Sequence, residues 1–147
     1  MEHRRMQVSE VMQKDVVSLG PEDRLDLADD IMRLGRIRHM PVLEGERLVG
    51  VVSQRDLLAA SLSRALDFEA SHRRSFLKSV AVEEVMARDV VTTAPDTPIA
   101  EAALLMIRRK IGCLPVVNPQ GAPVGLVTET DLLRSAYGVG GESDDPA

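Results

Sequence analysis

The sequence predicts an α/β (α+β) protein: two pseudo-symmetric β-α-β-β-α repeats, packed through their sheets, with short mixed sheets flanked by helices. Three observations carry this. The stretch VSEVMQKDVVSLGPEDRL from Val8 matches VEEVMARDVVTTAPDTPI from Val82, so Met12 aligns with Met86. The hydrophobic period changes in the same order within each copy. A heptapeptide, GVVSQRD at Gly50–Asp56, returns as GLVTETD at Gly125–Asp131. Two copies are too few for a solenoid, which needs at least about three repeats. Each half is therefore expected to cover the apolar face of the other.

Taken in order, DVVSL and DVVTT are β-branched runs that read as strands. Pro21 with Glu22 and Asp23, and Pro95 with Asp96, are helix-start signals. Leu25, Ala28, Ile31 or Met32, and Gly35 then recur at helical spacing, as do Ile99, Ala102, Ala103 and Met106. The first of these helices should end near Gly35. MPVL and LPVV are short strands with proline at a strand-start position. EGER and NPQGAP are turns. LVGVV and VGLVT are strands, and SQRDLLAASLSRAL and TETDLLRSAY are helices. This places repeat 1 at 8–60 and repeat 2 at 82–136. A partly helical linker, 61–81, joins them, with a break around Ser71 to Ser75. An acidic, glycine-rich tail, 137–147, has a disordered composition. The repeat-matched Met12, Met32, Met86 and Met106 are read as core residues.

Bulk composition narrows the function. The 147 residues carry a net charge of -5, with 28% charged side chains. An acidic chain argues against a nucleic-acid partner, which favours a basic face. Aromatics make up 2%, namely Phe68, Phe76 and Tyr137, too few for a base-stacking platform. Cys113 is the only cysteine, which leaves no internal disulfide and no Cys-rich metal site. The opening MEHRRMQVSEVM has no apolar leader region. No apolar run approaches the roughly 18 residues of a membrane span. A cytoplasmic protein with no membrane partner is expected.

The doubled heptapeptide supports two compatible readings. Ser53 with Asp56, and Thr128 with Asp131, form S/T-x-x-D at a strand-to-helix junction, which resembles a capping box with aspartate in place of glutamate. Gly50 and Gly125 would then serve close backbone packing. The same groups also describe a nucleotide site. A helix N-terminus seats phosphate, a hydroxyl in the first turn can donate to it, and an Asp one turn in can accept from two ribose hydroxyls. Glycine in the preceding strand would let a flat ring approach the backbone. No nucleophile elbow, P-loop or H-E-x-x-H motif is present. One Cys and three scattered His make no convincing zinc site. Neither catalytic nor metal-ligating residues are assigned.

With h-P-V strands and G-h-h-[ST]-x-x-D junctions present twice in register from Val8 to Leu133, the chain resembles a cystathionine-β-synthase (CBS) domain pair, also called a Bateman module. The resemblance implies adenosine ligands (AMP, ADP, ATP, NAD or S-adenosylmethionine) in two clefts between the repeats. Carried over by position, Asp56 and Asp131 would take ribose hydroxyls, and Ser53 and Thr128 would hold phosphate. Ser18 and Thr92 would line the adenine side. The backbone at His39–Pro41 and Cys113–Pro115 would frame the base, with Met40 and Leu114 against its face. Arg55 and Thr130, inside the motif, complete the ligand-binding set with Arg38 and Gly112. Arg38 and His39 precede the first h-P-V strand, where a forked guanidinium suits phosphate. His39 is alternatively a packed core residue. Gly112 stands where the first copy has Arg38, so the two sites should differ.

Arg33, Arg36, Arg108, Arg109 and Lys110, and His72, Arg73 and Arg74 of the linker, add further cations that read equally as solvated helix-end charges. The implied function is a stand-alone CBS-pair sensor that reports adenosine ligands to an unknown target protein in trans, as a homodimer. The alternative is a structural adaptor or dimerisation module with empty or degenerate sites.

Overall fold

The computed structural model describes residues 6–62 and 70–139. Within the linker and tail readings, positions 63–69 and 140–147 lie outside the described residues. Mixed α/β architecture is found, with helices α1 (Leu25–Gly35), α2 (Gln54–Leu62), α3 (Ala70–Ser79), α4 (Ile99–Arg109) and α5 (Glu129–Tyr137). The strands are β1 (His39–Glu44), β2 (Arg47–Ser53), β3 (Cys113–Val117) and β4 (Pro123–Thr128). They form two antiparallel two-stranded sheets, β1–β2 and β3–β4. Two short 3-10 turns, Val8–Glu10 and Val82–Glu84, open the two copies of the repeat.

The chain divides into two compact units, and their bounds cut across the sequence repeats. One comprises residues 17–90, the other residues 1–16 together with 91–147. Hydrogen bonds show why. In the first unit, Val82 N–H donates to the Asp23 carbonyl (2.7 Å) and Glu83 N–H to that of Pro21 (3.0 Å). In the second, Val8 N–H donates to the Thr97 carbonyl and Ser9 N–H to that of Pro95, both at 2.8 Å. Each 3-10 turn thus docks on the helix approach of the copy it does not precede in sequence.

Those approaches correct two expectations. Pro21 and Pro95 open turns, and the helices start four residues later, at Leu25 and Ile99. The cause is local: the Asp23 carboxylate accepts from Gly20 N–H (2.7 Å), and the Thr97 hydroxyl from Ala94 N–H (3.2 Å). These side chains close a turn that competes with helix. The DVVSL and DVVTT runs do not form strands. Each is reduced to one parallel bridging residue, Leu19 opposite Val42 and Thr93 opposite Val116. Both bridges fall where the hairpin register slips, between Val42 and Leu43 and between Val116 and Val117.

In the unit of residues 17–90, Leu25, Ala28 and Met32 on one face of α1 meet Met40, Val42 and Val52 from both strands. Leu57 of α2, Leu77 of α3 and Met86 complete that core. Burying each large aliphatic side chain contributes about 1.5–3 kcal/mol. Contrary to the predicted break, α3 runs helical through Ser71–Ser75. Its buried Leu77 anchors it, and Arg73 and Arg74 pair with Asp29 and Asp30 of α1 at 3.4 and 3.3 Å. The other unit repeats the plan with Val8, Ala102, Met106, Leu114, Val116 and Val127, and Met12 packs at its edge. Helix α1 does end at Gly35, but the left-handed cap is Arg36 (φ 53°), and Lys110 (φ 55°) caps α4 likewise. Tyr137 closes α5, and Gly138 caps it.

Candidate functional site

Each unit gathers most of its share of the candidate residues at one end of its hairpin. In residues 17–90, His39 lies opposite Ser53 and Met40 opposite Val52. The Arg38 carbonyl accepts from Gln54 N–H at 2.8 Å, which ties the start of β1 to the start of α2. In the other unit Cys113 faces Thr128 and Leu114 faces Val127, and the Gly112 carbonyl accepts from Glu129 N–H at 3.1 Å. Antiparallel pairing therefore converts two motifs remote in sequence into one corner.

At that corner both S/T-x-x-D motifs form reciprocal caps. Ser53 N–H donates to Asp56 Oδ2 (2.8 Å), and Asp56 N–H donates to Ser53 Oγ (3.1 Å). Thr128 N–H donates to Asp131 Oδ2 (2.8 Å), and Asp131 N–H to Thr128 Oγ1 (3.3 Å). The Thr128 hydroxyl also donates to Asp131 Oδ2 at 3.0 Å. Asp131 is buried, at 7% exposure, whereas Asp56 is half-buried. Beyond its cap, Asp131 meets Gln13: the side-chain amide donates to Oδ1 at 3.3 Å and Oδ2 at 3.2 Å. Sequence reasoning missed Gln13, because its partner lies 118 positions away. The one available signal was that Gln13 aligns with Ala87.

The remaining candidates divide by exposure. Arg38, Arg55 and Thr130 are exposed beside the caps. Met40, Pro41, Leu114 and Pro115 are buried, and the Pro41 and Pro115 carbonyls already accept from Leu19 and Thr93 N–H at 3.0 Å. His39 is half-buried and Cys113 buried. Ser18 and Thr92 are exposed next to the bridges at Leu19 and Thr93, and among the described residues no hydrogen bond joins them to the motif. Thr92 instead lines a cavity of about 580 Å³ with Thr93, Asp96, Thr97, Glu101 and Asn118.

Gly50 and Gly125 serve close packing. A Cβ on Gly50 would stand 2.5 Å from Met86 Sδ and 3.0 Å from the Ala87 carbonyl oxygen. On Gly125 it would stand 2.7 Å from Met12 Sδ and 2.8 Å from the Gln13 oxygen.

Of the linker cations, Arg73 and Arg74 are held by carboxylates, and Arg33 pairs with Asp30 at 2.8 Å. The Arg74 hydrogen bond holds the Asp30 carboxyl below its ordinary value. Arg38 makes no ion pair with the described residues. Among these residues no three His, Cys, Asp or Glu side chains converge as a metal site, and no helix is long and apolar enough to cross a membrane.

The model of the CBS domain matches residues 8–63 and 82–138. A CBS domain-containing protein of Dictyostelium discoideum is 32% identical over 127 residues, 86% of this chain and 88% of that protein. Inosine-5'-monophosphate dehydrogenase of Korarchaeum cryptofilum is 34% identical over 82% of this chain, which spans only 22% of that enzyme. Among solved structures, the CBS domain pair of protein MJ0100 with 5'-methylthioadenosine and S-adenosyl-L-methionine superposes with a TM-score of 0.77. It is 26% identical and matches 92% of this chain and 98% of its own. CBSX2 in complex with AMP gives 0.74 at 25% identity, over 90% of this chain and 96% of that one.

Proposed function

Because this chain belongs to the CBS domain family, we propose that it is a regulatory sensor that binds adenosine ligands and signals to a target protein in trans. The observation that carries the reading is the half-buried Asp56 carboxylate. One of its oxygens caps Ser53, and the other takes no hydrogen bond from the described residues. Asp56 lies in the first turn of α2, where partial positive charge favours phosphate. An acceptor pair next to an anion seat suits a ribose diol carrying a phosphate. Exposed Arg38 and Arg55 supply cations for the phosphates. Two neighbours in structure bind adenosine compounds, namely AMP and S-adenosyl-L-methionine with 5'-methylthioadenosine. No chemical step is proposed; binding changes the population of states the target meets, which requires unequal affinity for those states. Exposed Leu27 and Leu34 on α1, and Leu104 and Ile107 on α4, support assembly as a homodimer.

Both carboxylates already complete caps without a ligand, and this favours a second reading, an adaptor whose motif is structural. Thermal denaturation with AMP, ADP, ATP, NAD and S-adenosylmethionine separates the two. A ligand at about 100 times its Kd adds roughly 2.7 kcal/mol of stability. Asp56→Ala and Asp131→Ala should each remove one binding event, at about 1 kcal/mol of lost capping. Absence of any stabilisation by all five compounds supports the adaptor.

A further inference from the structure

Resting on the ligand reading above, we propose that Gln13 is a competitive latch on Asp131, and that it lowers the affinity of the Asp131 site for a ribose diol. A carboxylate offers about four acceptor positions. Asp131 Oδ2 already receives Thr128 N–H, the Thr128 hydroxyl and the Gln13 amide, and Oδ1 receives the same amide. Among the described residues Asp56 accepts only from Ser53 N–H. A ribose diol reaching Asp131 must displace the carboxamide, whereas one reaching Asp56 displaces no side chain.

The backbone frame is the same in both units, and this isolates the side chain as the difference. Gln13 exchanges hydrogen bonds with Leu126, N–H to carbonyl in both directions at 2.8 and 2.9 Å. Ala87, its aligned counterpart, exchanges the same pair with Val51 at 2.8 and 3.0 Å. Gln13 is thus pinned through its main chain, while its side chain reaches Asp131 through the two amide contacts. Ala87, equally exposed, presents nothing to Asp56. At 3.2–3.3 Å the amide contacts are at the long end of the hydrogen-bond range, so the latch is a weak one.

The test is reciprocal exchange at these two exposed positions. 15N-labelled protein is titrated with AMP, and the Asp56 and Asp131 amide resonances report each site separately. Gln13→Ala should lower the AMP midpoint at Asp131 roughly five-fold and leave Asp56 unchanged. Ala87→Gln should raise the midpoint at Asp56 by a similar factor and leave Asp131 unchanged. The shift on substitution is the measure, whatever the order of the parental midpoints. Titration at Asp131 that is unaltered or weakened in Gln13→Ala overturns the latch, the weakened case marking Gln13 as a ligand contact. If neither amide responds to AMP, ADP, ATP, NAD or S-adenosylmethionine in any of the three proteins, the adenosine reading falls and the latch with it. Response at both amides with unmoved midpoints removes the latch alone.

Discussion

Gly50→Ala tests whether the glycine of the motif serves packing or ligand access. The added methyl would lie 2.5 Å from Met86 Sδ, 2.8 Å from its Cγ and 3.0 Å from the Ala87 carbonyl oxygen. The thioether can bend away, but the carbonyl cannot follow easily. It accepts from Val51 N–H at 3.0 Å, and Ala87 N–H returns a 2.8 Å bond. Overpacking of this kind costs about 1–3 kcal/mol, and the lower unfolded-state entropy of alanine offsets about 0.4–1 kcal/mol. A net loss of about 1–2 kcal/mol is expected. At about 2–4 °C per kcal/mol for a chain of this size, the melting temperature should fall by roughly 2–8 °C. Urea denaturation gives the free energy, and AMP titration of the same variant gives affinity. Met86→Ala in the Gly50→Ala background should recover part of the loss as a coupling energy of about 0.5–2 kcal/mol. A variant as stable as the parent but unable to bind AMP would refute the packing argument and return Gly50 to the ligand.

Two further outcomes follow from geometry away from the motif. Lys110 holds a left-handed conformation at φ 55°, so Lys110→Gly should stabilise the protein by about 1 kcal/mol in urea denaturation. Asp30 titrates below its ordinary 3.8, chiefly through the hydrogen bond from Arg74. The stability this adds is present above the ordinary carboxylate range and is lost as pH falls through the depressed value. In Arg74→Ala the Asp30 midpoint, followed by carboxyl NMR, should move upward, and stability below pH about 4 should fall less steeply with acid.

What the sequence disclosed was what neighbouring residues decide. Leu25, Ala28 and Met32 mark a helix face because side chains three to four apart share a side, and all three are buried. Ser53 with Asp56 and Thr128 with Asp131 were legible as caps for the same reason. Pro21 misled because Asp23, two residues on, spends its carboxylate on Gly20 N–H and folds a turn instead. DVVSL has the composition of a strand, yet within it only Leu19 forms a bridge, on the edge of β1 that β2 leaves open. The end of α1 was placed correctly at Gly35, while the strained angle fell on Arg36. Least legible were contacts whose partners are far apart along the chain. No local pattern announces that Gln13 meets Asp131, or that Leu77 of the linker enters the first core.

The interleaving of the 3-10 turns bears on how the protein forms as it leaves the ribosome. Residues 17–90 contain both hydrogen-bonding partners of their turn, Pro21 and Asp23 on one side and Val82 and Glu83 on the other. That unit can close as soon as its own stretch has emerged. The segment Val8 to Gln13, made before that unit, waits for Pro95, Thr97 and finally Leu126. It pays the long loop-closure entropy late, after residues 17–90 have emerged. A fragment cut at 8–60 would carry an orphaned turn and lack the one it needs, whereas one cut at 17–90 would carry a matched set.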